Sequence, residues 1–298
     1  MSINTSTSYL VFRWRPACWL HVTGDDAANF LQGQFTNDLR LLEQTRAVYG
    51  LWLTVKGKVL ADSFVLRDTP NSFWVGSYFS PAHVIRERLE SHVIADDVVI
   101  DDVTADWAGS SVLGLAQGEQ VATEEASRMS IFPGRRDRGP NLECVYPVAE
   151  GEPHWLAALR ATSVDTGEME RRRIQAGIPA VPMDLGPADL PNEAELEAEA
   201  ISYTKGCYLG QEVMARLKSM GQVRRRLWRV RGKGEAWPGL PAPVFAAARQ
   251  VGEVRSAVRD PAGGWIGLAM VSLLHTRPEA ELSFAADGPP ALRLTASP

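Results

Sequence analysis

Lys205-Gly206-Cys207-Tyr208-Leu209-Gly210-Gln211-Glu212 is the densest run of chemically capable residues in the chain. A thiol stands two residues after an ammonium, glycines bracket it, and a phenol, an amide and a carboxylate follow. Lys205 is the nearest cation in sequence to Cys207 and would favour its thiolate. Gly206 and Gly210 allow positive φ or close approach of a ligand to the backbone. Arg216 stands one helical turn beyond Glu212. A glycine-containing turn with a buried cysteine, leading into an amphipathic helix, accounts for the same residues, because cysteine is often buried. Spacing alone leaves both readings open.

Working outward, the run from Ile178 to Glu199 holds Pro179, Pro182, Pro187 and Pro191, then Glu193, Glu195, Glu197 and Glu199. It reads as a loop whose carboxylates face solvent. Before it, Glu168 to Ala176 reads as a helix. Arg171, Arg172 and Arg173 on that helix point in directions ~100° apart in succession, so they cannot all serve one site, and at least two are expected to be solvated. After the octet, short β-like runs separated by Gly and Pro recur every roughly ten residues from Val223 onward, which suggests a small barrel or sandwich. A domain boundary is placed near Gly221-Gln222. The chain's basic cluster is Arg224-Arg225-Arg226, and strand alternation would send Arg225 to the face opposite the other two.

The first half alternates strands and helices. Tyr9 to Arg13 and Ala17 to Val22 read as strands, followed by a helix opened by Asp25 and stopped by Gly33. The segment Gln32 to Asp38 is rich in amides, hydroxyl and carboxylate. Such groups line polar ligand sites and equally cap local backbone. Ala47 to Thr54, Val59 to Arg67 and Ser72 to Tyr78 read as strands joined by Lys56-Gly57-Lys58 and Asp68 to Asn71. Ser80-Pro81 opens a helix carrying Val84, Ile85 and Leu89. Val98 to Val103 and Ser111 to Ala116 are further strands, Ile131 to Asn141 a loop, Leu142 to Val148 a strand, and His154 to Ser163 a helix. This order predicts an α+β body with antiparallel sheets.

The 298 residues allow two or three domains. A net charge of -5 gives no global electrostatic case for nucleic acid or an anionic membrane surface. Cys18, Cys144 and Cys207 form no CxxC pair, and the five histidines show no ligand spacing, so no metal held by side chains is expected. Met1 to Ser8 lacks a basic segment followed by an apolar core, and no apolar run reaches membrane-spanning length. The expectation is a cytoplasmic monomer with no membrane contact and no direct nucleic-acid binding.

The octet and Arg216 resemble the KGCYxGQE signature of the folate-binding YgfZ family, in the superfamily of the glycine-cleavage T-protein, an aminomethyltransferase. The run Gly24 to Asp38 resembles that family's G-x-D-A-x-x-F-L-Q-G-Q-x-T-N-D segment. Lys56-Gly57-Lys58-Val59-Leu60-Ala61-Asp62 is similar to its G-K-V-L-A-D hairpin. Ile174-Gln175-Ala176-Gly177-Ile178-Pro179 is similar to its R-I-E-A-G-I-P helix end, and Pro191-Asn192-Glu193 to its P-x-E. The segments fall in order over about residues 10–230.

The resemblance implies a T-protein-like folate-binding body of two interwoven α+β subdomains over residues 1–222, and a small C-terminal β-barrel over 223–298. It implies an accessory protein for assembly, maintenance or repair of iron–sulfur clusters in client enzymes, using tetrahydrofolate or a one-carbon derivative, with indirect effects on tRNA modification. The alternatives are a true aminomethyltransferase and a scaffold that has lost folate. Cys207 is the implied functional thiol, with Lys205 beside it and Asp62 at the place of a T-protein hairpin aspartate. Asn37, Asp38, Tyr49, Tyr208, Gln211, Glu212 and Arg216 are the implied folate contacts. Gln175 stands where the T-protein has a pterin-reading glutamate. An ionised glutamate only accepts hydrogen bonds, whereas Gln175 brings a donor as well.

Overall fold

A computed structural model describes residues 9–115, 129–234, 237, 239–278 and 280–296. Met1 to Ser8 and Ala116, read above as a polar start and a strand end, lie outside the described residues. The chain divides into two compact units whose sequences interleave. The first comprises Met1–Gln34, Asp38–Gly50 and Ser63–Met169; the second comprises Phe35–Asn37, Leu51–Asp62 and Glu170–Pro298.

In the first unit, Tyr9–Trp14 lies between Ala161–Ser163, which is parallel to it, and the antiparallel Trp107–Leu113. Asn141–Pro147 and Ser130–Pro133 complete this five-stranded sheet. Two readings change here. Ile131–Pro133 are strand rather than loop, because they pair with Leu142–Cys144 despite the Gly, Pro and Arg that follow. The helix begun at His154 stops at Ala158, and Ala161–Ser163 joins the sheet beside Tyr9–Val11. A ladder of backbone hydrogen bonds prevails there over a weak helical spacing.

A second five-stranded sheet runs Val48–Leu53, Val59–Thr69, Ser72–Ser77, Cys18–Thr23, Val99–Asp102. The helix Ala82–Glu90 packs on its last two strands. The other helix spans Ala27–Gln34, so Gly33 lies inside it rather than ending it. The core of the unit is aromatic: Trp19 contacts Trp74, Trp107 and Phe132, and Phe132 reaches Phe64.

The second unit carries a six-stranded sheet in the order Ala242–Ala246, Arg249–Arg259, Trp265–Ser272, Arg225–Gly232, Leu292–Ala296, Glu281–Leu282. Its two edges meet where Phe245 and Ser283 exchange backbone hydrogen bonds of 2.9 and 3.0 Å, so the sheet is nearly closed and barrel-like. Val244, Val254, Trp265, Ala269 and Leu282 fill the interior. Near-closure leaves few unpaired strand edges.

Buried ion pairs hold the proline-rich segment to this barrel. Arg173 is 3% exposed and donates to Glu170 at 2.7 Å, Asp184 at 2.6 Å and Ser256 Oγ at 3.0 Å. Arg225 pairs with Asp189 and Glu193, and Arg255 also reaches Asp189. One expectation is corrected by this: Glu193 is buried against Arg225 rather than turned to solvent. Arg173 is a buried tie, and Arg171 and Arg172 are the partly exposed members of the trio. The carboxylates of a proline-rich loop are buried here because arginines from the helix and barrel neutralise them.

Candidate functional site

The octet follows irregular backbone and leads into the helix Gln211–Met220. Lys205 is buried, and its Nζ donates to the backbone carbonyls of Phe35 at 2.6 Å and Asn37 at 3.0 Å. Thr36, between them, donates its Oγ1 proton to Ala200 O at 2.7 Å and accepts from Leu51 N at 2.8 Å. The segment Phe35–Asn37 is thereby stitched to the residues before the octet and to the hairpin strand. Gln211 Oε1 accepts from Tyr208 N at 3.1 Å and ties the loop to the helix it precedes.

Gly210 adopts φ of 86° ahead of the helix, and a Cβ there would lie 2.8 Å from Thr54 O. A Cβ on Gly57 would meet Met214 Cε at 2.8 Å. Only glycine admits this close packing of the Lys56-Gly57-Lys58 turn against the octet and its helix. The same hairpin donates from Val59 N to Asp189 O at 3.1 Å and from Lys58 Nζ to Ala188 O at 2.9 Å. Four motif-bearing stretches therefore converge in the second unit: Phe35–Asn37, the hairpin, the proline-rich segment and the octet.

Cys207 is exposed and stands in this pinned loop. Tyr208 is buried, its hydroxyl has no hydrogen-bond partner among the described residues, and burial pushes its pKa well up. Lys205 Nζ lies 5.3 Å from the Tyr208 ring centroid. That ammonium, read from sequence as a neighbour for the thiol, is engaged by two backbone carbonyls. Glu212 and Arg216 are exposed on the helix, and among the described residues they make no ion pair with each other or elsewhere. Gln175 is exposed; its Oε1 accepts from Arg171 at 3.1 Å and its backbone carbonyl from Arg229 at 2.6 Å. Asn37 Nδ2 donates to Glu199 O at 3.0 Å. Asp62 is buried in the strand Val59–Thr69.

Asp38 and Tyr49 belong to the first unit. Arg40 clamps both Asp38 oxygens, the closest contact being 2.6 Å, and its hydrogen bonds hold the carboxyl far below the usual carboxylate range. Asp38 also accepts from Arg40 N and Gln32 Nε2, so it caps the turn Leu39–Glu43. Tyr49 packs against Phe64 at 5.4 Å and has the Arg135 guanidinium 4.0 Å from its ring centroid.

Sequence reasoning missed two groups. Thr36 looked like one polar residue among several, and its role rests on pairings with distant backbone. Glu143 in the first unit is fully buried, accepting from Tyr78 Oη at 2.8 Å and Ser111 Oγ at 2.6 Å. Arg136 lies 3.7 Å from it and 3.6 Å from the Tyr78 ring centroid. Burial pushes the Glu143 pKa up, against the opposing pull of Arg136 and the donors. The signal was a lone acid between Leu142 and Cys144 in an apolar strand.

The fold defines the class. The glycine cleavage system aminomethyltransferase T from Bartonella henselae superposes with a TM-score of 0.78 over 98% of this chain and 86% of that one, at 17% identity. Residues 14–124 match the GCVT N-terminal domain. In sequence, the chain is 28% identical to the tRNA-modifying protein YgfZ of Edwardsiella ictaluri over 276 residues, covering 84% of this chain and 80% of that protein. It is 27% identical to the mitochondrial iron-sulfur cluster assembly factor IBA57 of Mus musculus over 286 residues, covering 89% and 78%. In fold the chain is T-protein-like, and in sequence it is similar to YgfZ and to IBA57 over most of its length.

Proposed function

We propose that this chain is a folate-dependent accessory protein for the assembly, maintenance or repair of iron–sulfur clusters, with Cys207 as its working thiol. The observation that carries this is the exposed Cys207 in a loop pinned through Lys205 and Gln211, in a chain similar over most of its length to proteins named for cluster assembly and tRNA modification. Its partners would be cluster-dependent enzymes or assembly factors, and any effect on tRNA would run through such enzymes. We read residues 1–222 as the ligand-binding body, 223–298 as the appended barrel, and the cytoplasm as the working compartment of a monomer.

Replacing Cys207 with Ser or Ala and assaying a cluster-dependent enzyme in cells lacking the wild-type copy tests the thiol's role. The expected result is a loss of enzyme activity at unchanged protein level; full activity would overturn it.

The residues present suit a folate. Among the described residues, Tyr208 has a buried hydroxyl without a partner, Gln175 keeps an amide NH2 group beyond its bond from Arg171, and Arg216 is a cation without an ion pair. Tyr208 and Gln175 would bond the polar ring system, and Arg216 the anionic tail. Bound tetrahydrofolate would supply one-carbon or reductive chemistry. Calorimetric titration of the purified protein with tetrahydrofolate, beside Gln175 and Arg216 variants, tests this; absence of binding would leave the scaffold reading. The aminomethyltransferase alternative draws on the fold and on Asp62. Methylene transfer from an aminomethyl donor to tetrahydrofolate, lost in Asp62→Asn, would establish it.

A further inference from the structure

A cleft opens in the second unit, between the end of the helix Gln211–Met220, the segment from Asn192 to Tyr203 and the start of the barrel strand Arg225–Gly232. Its volume is about 1020 Å³, at the upper end of the range that small-molecule sites occupy. No residue of the octet lines it. Three of its lining residues bury a polar atom with no partner among the described residues: Asn192 Oδ1, Glu197 Oε2 and Arg226 Nε. Buried unpaired polar atoms are few in a native fold, and each calls for an explanation. Three among the residues that line one cleft point to a ligand.

The chemistry of the wall says which kind. Two of the orphans are acceptors and ask for N–H donors. Cations gather at the same place on a chain whose net charge is -5. Arg224 is exposed and has no ion pair among the described residues, and Lys218 Nζ lies 4.1 Å from the Tyr203 ring centroid. Arg226 keeps its Nε–H unpaired while another of its nitrogens meets Glu195 at 2.9 Å. Leu217 and the exposed Leu274 add apolar wall.

We propose that this cleft is a binding site for a small organic anion that also carries N–H donors. The carboxylate or phosphate would lie against Arg224 and Lys218. The amine, amide or amino edge would meet Asn192 and Glu197, and the body of the ligand would rest on Tyr203 and Leu217. A carboxylate-bearing peptide and a nucleoside monophosphate share this chemistry.

The test is calorimetric titration of the full-length protein with glutamyl-glutamate, with guanosine monophosphate and with inorganic phosphate. At least one organic probe is expected to bind with a sub-millimolar Kd, and which one binds identifies the source of the anion. Arg224→Ser and Glu197→Gln should each weaken that binding about tenfold, the scale of one charge-assisted hydrogen bond. An unchanged thermal unfolding curve for Arg224→Ser shows that the loss is local. The proposal is overturned if neither organic probe binds at millimolar concentration, if both variants bind like the wild type, or if inorganic phosphate binds as tightly as the organic probes.

Discussion

Lys205 Nζ lies 2.6 Å from the backbone carbonyl oxygen of Phe35, a residue 170 positions earlier in the chain. With the second bond to Asn37 O, this ammonium closes the loop that bears Cys207 onto Phe35–Asn37. Lys205→Met would leave two carbonyls without their charged donor. We expect a loss of about 2–3 kcal/mol, with the lower estimate applying if water reaches the carbonyls. Chemical denaturation measures the loss, and a change in the alkylation rate of Cys207 would report the loosened loop. An unchanged midpoint would remove Lys205 from the structural framework.

Cys207→Ser should behave in the opposite way. The side chain is exposed, so stability should stay within about 0.5 kcal/mol of wild type. Thermal unfolding checks this directly. A large drop would mean that the thiol is part of the packing, and loss of function in the variant would then say nothing about chemistry.

Arg173→Ala removes the cation facing a fully buried Asp184. Breaking a buried pair from one side costs about 3–5 kcal/mol, because the remaining charge is left uncompensated. Urea unfolding should show this loss. Ser256 Oγ and Ala180 N also donate to Asp184, so part of its charge stays solvated and the lower half of the range is expected.

Asp38 gives a pH signature. Arg40 holds its folded-state carboxyl far below the ordinary aspartate value, so the folded state releases this proton more readily than the unfolded chain. Its contribution is therefore present above the unfolded aspartate pKa of about 3.9 and fades as pH falls through the depressed folded value. Asp38→Asn should lower Tm at neutral pH, and the gap to wild type should shrink steadily below about pH 4. A gap that stays constant with pH would assign the effect to the lost cap rather than to the charge. The pair is partly solvated by Arg40, so high salt should also narrow the gap.

Much of the fold was legible because it rests on local signals. The strands Val48–Leu53, Val59–Thr69 and Ser72–Ser77 follow from β-branched and aromatic runs punctuated by turn residues, and the helix Thr166–Ala176 from its spacing. The β-rich C-terminal part was visible in its recurring Gly and Pro. Errors fell where long-range pairing prevails over local preference, at Ile131–Pro133 and Ala161–Ser163, each drawn into a sheet by a partner strand.

By itself, then, the sequence determined the residue types that matter: Cys207 between glycines, the Lys56-Gly57-Lys58 turn, the polar run to Asp38 and their order along the chain. What each residue does depends on contacts made across the fold. Lys205 is a tie to Phe35 and Asn37, Arg173 and Glu193 are buried, and Cys207 is exposed. The physical reason is that a charge's role depends on whether a counter-charge or carbonyl meets it inside the fold. For Lys205 and Phe35 that meeting joins residues 170 positions apart, and for Arg225 and Glu193 residues 32 apart, beyond the reach of any local pattern.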